Sequence, residues 1–187
     1  MASHHNNNSN HTQERRSFRL DRPIVLVGMM GVGKSSVGRK LAGRLGLSFR
    51  DADDEIEAAA GMTIAEIFDR FGEPYFRDGE RRVIARLIEG APKVIATGGG
   101  AFINEETRAL ILGKALSIWL DADIAILVER VGRRNHRPLL HGRDAATVLT
   151  ELGAIRNPIY SQADIHIRSD MSPHAQTVEN ILKALPQ

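Results

Sequence analysis

The run Ile24 to Gly28, IVLVG, is continuously apolar and leads through GMMGVGKS (28–35) into an amphipathic helical pattern over Lys34 to Leu45. No other feature of the chain restricts its fold as strongly. A short strand without a polar alternate suits a parallel sheet covered on both faces. The glycine-rich junction after it gives up side-chain contacts and costs backbone entropy, so packing alone does not account for it. A ligand that must approach the backbone does. Gly28 to Ser35 matches GxxxxGK[ST], with the strand before it and the helix after it that this phosphate-binding pattern requires. Gly28, Gly31 and Gly33 let the loop wrap so that backbone N–H groups point at phosphates, aided by the positive end of the helix. The candidate nucleotide-binding residues are therefore Gly31, Val32, Gly33, Lys34, Ser35 and Ser36. Lys34 would neutralise β- and γ-phosphate oxygens, and Ser35 would ligate Mg²⁺. A dinucleotide fingerprint read from Gly31 would need glycine at Ser36, and it is not met.

Short apolar runs alternate with helical patterns from Pro23 onward, which indicates an α/β fold with a mainly parallel sheet. The expected strands are 24–28, 47–49, 93–97, 115–120 and 164–168. Thr63 and Glu66 form a capping box ahead of Ile64, Ile67, Phe68 and Phe71 at helical spacing. Asp123 is placed to cap a helix carrying Ile124, Leu127, Val128 and Val131, and Ser172 with Pro173 to open the last one. The segment 132–144, GRRNHRPLLHGRD, is basic and aperiodic, and is expected to be a mobile functional loop. His136 and His141 within it are expected to be exposed rather than catalytic.

Residues 1–20 are polar and rich in Asn, His and Ser, and are expected to be a disordered tail ahead of a single domain over 21–187. Solvation, rather than metal chelation by His4, His5 and His11 or a transit function, is the expected role. The absence of an apolar signal core argues against secretion. The chain of 187 residues carries 25 Lys and Arg against 23 Asp and Glu, too even a balance for a protein that coats nucleic acid. With no cysteine, disulfides and thiolate metal sites are excluded. No apolar run reaches membrane-spanning length.

Three further constellations concern the acceptor of a phosphoryl group. Asp51 and Asp53, in FRDADDEIE, follow the second strand, where the carboxyl ends of parallel strands line a ligand crevice. One of them could serve a metal and the other a hydroxyl nucleophile; helix capping is the alternative, and is assigned to Asp54 and Glu55. Gly98, Gly99 and Gly100, in TGGGA, offer unobstructed backbone N–H groups after the third strand. No aspartate follows that strand, which moves the metal role toward Asp51. Arg77, Arg137 and Arg156 carry guanidinium forks that match carboxylate and phosphate oxygens.

In order, GMMGVGKSSVGRKLA, FRDADDEIE, IAEIFDRFGEPYFRDGE, TGGGA, RPLL and AIRNPIY closely resemble the bacterial shikimate kinases, and the resemblance covers Pro23 to about Leu185. It implies a three-layer P-loop fold like that of nucleoside monophosphate kinases: a five-stranded parallel sheet with the first strand central, helices on both faces, and a mobile lid. It also implies ATP as co-substrate, Mg²⁺ as cofactor and shikimate as acceptor, in a monomeric cytoplasmic enzyme of chorismate and aromatic amino-acid biosynthesis that binds neither nucleic acid nor membrane. Residue by residue, Lys34 and Ser35 would hold phosphates and Mg²⁺, with Asp51 supporting the metal. Asp53 would orient or deprotonate the attacking hydroxyl, and Glu80 would meet another. Arg77 and Arg156 would grip the substrate carboxylate, Gly98 to Gly100 would present donors, Arg137 on the lid would cover the transferring phosphoryl group, and Arg130 would lie near adenine. The chain departs from the family at Met171, Ser172 and Pro173, where some members place an arginine beside adenine. A gluconate kinase and a nucleotide-sensing regulatory module are the rival readings. The DADDEIE and FRDGE contexts disfavour the first, and the retained acceptor residues disfavour the second.

Overall fold

The computed structural model describes residues 20–132 and 142–186. Arg137, His136, His141 and all but the last residue of the expected tail lie outside the described residues. Five strands form one parallel sheet: β1 Ile24–Val27, β2 Ser48–Asp51, β3 Lys93–Ala96, β4 Leu116–Asp121 and β5 Ile165–Arg168. Their order is β2-β3-β1-β4-β5, with β1 in the centre. Every residue of β1 is buried, as its unbroken apolar sequence requires. All five expected strands form with slightly displaced ends. β2 runs further than expected, so that Asp51 ends the strand instead of following it.

The helices are α1 Lys34–Leu45, α2 Ala52–Ala60, α3 Ile64–Ile88, α4 Glu105–Lys114, α5 Ile124–Gly132, α6 Ala145–Tyr160 and α7 His174–Ala184. From β1 the chain crosses leftward over β3 to β2, and from β3 it crosses rightward over β1 to β4. Right-handed crossovers put α1 on one face and α3 and α4 on the other. Accordingly α1 packs with α7, and α3 with α4. The connections diverge between β1 and β3, which opens a crevice at the carboxyl ends of those two strands.

Local signals account for most helix ends, but two caps and one apolar stripe differ from expectation. The capping box at α3 forms, with Glu66 N–H donating to Thr63 Oγ1 at 3.2 Å and Thr63 N–H to Glu66 Oε2 at 2.8 Å. The apolar stripe expected through Phe71 stops at Phe68, and Phe71 is exposed. The cause is Gly72, whose φ of 78° and ψ of 173° break the helix ahead of Pro74 and turn its second half. That half directs Phe76, Glu80, Val83, Ile84 and Leu87 inward. At α5, the Asp123 carbonyl accepts from Ile126 and Leu127 while its carboxylate pairs with Arg168, so the expected side-chain cap is replaced by an ion pair. At α7, Pro173 itself is the N-cap, and the Ser172 N–H donates to Asp170 Oδ1 instead of its hydroxyl capping the helix. No helix among the described residues is long and apolar enough to cross a membrane.

Candidate active site

The loop between β1 and α1 closes on itself. Lys34 is largely buried, and its Nζ donates to the carbonyls of Gly28 and Met29 at 2.8 and 2.9 Å. Gly33 caps α1 in the left-handed region at φ 99°, and a Cβ there would lie 2.8 Å from the His174 ring. Arg130 on α5 ties the loop to the far side of the sheet, donating to Val32 O at 3.1 Å and to Asp170 O at 3.0 Å. One cleft is lined by Gly31, Gly33, Lys34, Ser35, Ser36, Asp51, Asp53, Gly98, Gly99 and Arg130. The expected phosphate, metal and hydroxyl groups thus converge on a single concavity.

Ser35 Oγ donates to Asp51 Oδ2 at 2.5 Å, and Asp51 Oδ1 accepts from Asp53 N–H at 3.1 Å as the N-cap of α2. Asp51 therefore faces the serine, as expected, and also caps the helix, a task expected of Asp54 and Glu55. Those two pair with arginines: Asp54 with Arg39, and Glu55 with Arg50 and Arg86. Ser35 and Asp51 are adjacent hard oxygen donors, the chemistry that Mg²⁺ takes beside nucleotide phosphates and water. No cluster of three or more His, Cys, Asp or Glu side chains among the described residues offers another metal site.

Opposite the phosphate loop, two carboxylates bracket Gly98. A Cβ on that glycine would stand 3.0 Å from Asp53 Oδ1 and 3.1 Å from Glu80 Oε1. Glu80 is 1% exposed; its Oε2 accepts from Arg77 Nη1 at 2.6 Å, while Oε1 is buried without a partner among the described residues. A buried acceptor left unpaired is costly, and a hydroxyl donor from a ligand would satisfy it. Burial pushes the Glu80 carboxyl above its ordinary 4.5, against the pull of the Arg77 guanidinium, with Asp53 adding to the rise. A raised carboxyl binds protons more tightly in the folded chain, so its favourable contribution is present at low pH and is lost as pH climbs through the range above 4.5. Wild-type Tm minus Glu80→Gln Tm should accordingly fall from pH 4.5 toward pH 8. A difference that stays flat or grows would show that Glu80 is held ionised at no cost.

Arg77 also reaches Glu73 Oε1 at 3.3 Å and lies against Gly100, where a Cβ would be 2.6 Å from its Cζ. Arg156 Nη1 donates to Gly99 O at 3.4 Å. Arg77, Arg156 and Gly100 share a second hollow behind the glycine loop. The loop carbonyls are committed: Gly98 O accepts from Ala101, Gly99 O from Arg156 and Tyr160, and Gly100 O from Ile103. What the loop can offer a ligand is its N–H edge.

Against known proteins, the model of the shikimate kinase family matches residues 30–186. The chain belongs to the shikimate kinase family. Among this family, the shikimate kinase of Caulobacter vibrioides is 62% identical over 88% of this chain and 82% of its own length. That of Zymomonas mobilis is 56% identical over 89% and 94%. A solved shikimate kinase from Acinetobacter baumannii, in complex with shikimate, superposes with a TM-score of 0.85 at 35% identity, covering 91% of this chain and 96% of that one. The three-layer P-loop fold expected from the sequence is thereby borne out.

Two residues at or beside the site escaped sequence reasoning. His174 borders the cleft beside Gly33 and Arg130, and burial lowers its pKa from 6.5, with Arg130 and Lys40 adding to the shift. Tyr160 reaches the glycine loop from the end of α6. Tyr160 closes the AIRNPIY stretch without a role assigned to it there, His174 belongs to no such stretch, and the packing of α6 and α7 places them.

Proposed function

We propose that the cleft transfers the γ-phosphoryl group of ATP to the 3-hydroxyl of shikimate, giving shikimate 3-phosphate and ADP on the route to chorismate and the aromatic amino acids. The observation that carries this reading is the meeting, in one cleft, of the phosphate loop with Asp53 and Gly98, the buried Glu80 carboxylate standing beside that glycine. Phosphoryl transfer depends on alignment and charge neutralisation more than on covalent help. Lys34 and the N–H groups of 31–36 hold the phosphates. Ser35 and Asp51 would hold Mg²⁺, which when bound supplies charge neutralisation at the phosphate oxygens. Asp53 accepts the hydrogen bond of the attacking hydroxyl and takes its proton as the bond to phosphorus forms. Glu80 Oε1 accepts from a neighbouring ring hydroxyl, and Arg77 and Arg156 receive the substrate carboxylate. Arg130 flanks the nucleotide, and Arg137 would neutralise the transferring group. The enzyme is assigned to the cytoplasm as a monomer with a single domain over 21–187.

ADP release with Mg-ATP, compared for shikimate, gluconate and no acceptor, tests the assignment. Shikimate-dependent turnover far above the other two is expected; equal rates with all three would overturn it. The acceptor side has its own check in Gly100→Ala, whose methyl must displace the Arg77 guanidinium, the flexible end of a side chain. The KM for shikimate should rise about tenfold with the fold retained. An unchanged KM would detach the position of Arg77 from acceptor binding.

A further inference from the structure

Tyr160 is among the largest wholly buried side chains of the protein. Its ring lies 6.0 Å from Trp119 and 6.5 Å from Phe102 between centroids, so ring packing fixes it from two sides. Its hydroxyl donates to the Gly99 carbonyl oxygen, which also accepts from Arg156 Nη1 at 3.4 Å. Gly99 in turn abuts the phosphate loop, since a Cβ there would be 3.4 Å from Met30 N and 3.7 Å from Gly28 O. One carbonyl therefore joins Tyr160 to the substrate arginine, on a glycine that abuts the nucleotide loop. Three successive glycines have little conformational preference of their own. The orientation of their peptides has to come from outside the loop, and a rigid buried donor is a means of imposing it. Burial drives the phenol up to about 12, so the hydroxyl stays protonated and donates throughout the working pH range.

We propose that the Tyr160 hydroxyl is a positioning group for acceptor binding: by holding the Gly99 carbonyl it sets the N–H edge of Gly98–Gly100 and the Arg156 guanidinium for the substrate carboxylate. The inference rests on the acceptor reading given above. Phenylalanine fills the same space and keeps both ring contacts, which isolates the hydroxyl. In Tyr160→Phe the KM for shikimate rises about tenfold, while kcat stays within about threefold and the KM for ATP within about twofold. Amide hydrogen exchange accelerates at 98–100 and is unchanged in β1 and β3.

A purely structural tyrosine would give the opposite pattern, a lowered Tm and broadly faster exchange with the KM for shikimate unmoved, and that result overturns the proposal. A Tyr160→Phe chain that does not fold overturns it too, because the hydroxyl would then serve folding first. Wild-type protein without shikimate-dependent turnover sinks the acceptor reading and this inference together. An active wild type with an indistinguishable variant sinks the inference alone.

Discussion

Asp53→Asn is expected to lower kcat by on the order of a thousandfold, within the range for loss of a positioned general base, while the KM for ATP moves by about twofold or less. Asparagine keeps the shape and can still accept a hydrogen bond through its carbonyl oxygen, but it cannot take the proton of the attacking hydroxyl. A thousandfold loss corresponds to about 4 kcal/mol of transition-state stabilisation. The backbone of residue 53 still donates to Asp51 Oδ1, so the cap of α2 and the Ser35–Asp51 pair should survive the change. Steady-state kinetics with both substrates varied decides the matter. An unaltered kcat removes Asp53 from the chemistry, and a parallel rise in the KM for ATP moves its role to the metal.

The largest expected loss of stability follows from Gly28→Ala. Gly28 sits at φ 137°, where L side chains are strained, and its Cβ would be driven into the Leu120 carbonyl oxygen and to 3.3 Å from Trp119 Cδ1. The obstacle is backbone of the adjacent strand β4, which cannot swing aside as the tip of a side chain does. Strain and overpacking together should cost about 4 kcal/mol, lowering Tm by about 12 °C in a domain of this size. Thermal unfolding followed by circular dichroism measures it, and a Tm within about 3 °C of wild type would mean that β4 yields easily. Gly28 is thus required by the sheet beneath the loop as well as by the loop itself.

Strands and helices were legible because their signals are local. The continuous apolar run at 24–27, the Thr63–Glu66 box and the phosphate-loop pattern each act through neighbours in the chain, and each stands where expected. The failures share the opposite property. Asp123 was read as a cap by its position before a helix, but Arg168, distant in sequence, competes for its carboxylate. Phe71 fits an apolar stripe by spacing, yet the backbone break at Gly72 takes it out of register with the core. Asp51 was separated from Asp54 and Glu55 by role, although one carboxylate has two oxygens and here it serves both a cap and Ser35.

By itself the sequence determined the order of elements, the phosphate-binding loop and the residue types able to handle a carboxylate and hydroxyl acceptor, since hydrophobic period, capping chemistry and glycine placement act over a few residues. Only the tertiary structure decided that Glu80 Oε1 and Asp53 close on Gly98, that Arg130 locks Val32 to Asp170, that His174 borders the cleft and that Tyr160 holds the Gly99 carbonyl. Those contacts join residues far apart in the chain. They depend on the strand order β2-β3-β1-β4-β5 and on right-handed crossovers that bring loops from separate strands to one edge, a condition no local pattern encodes.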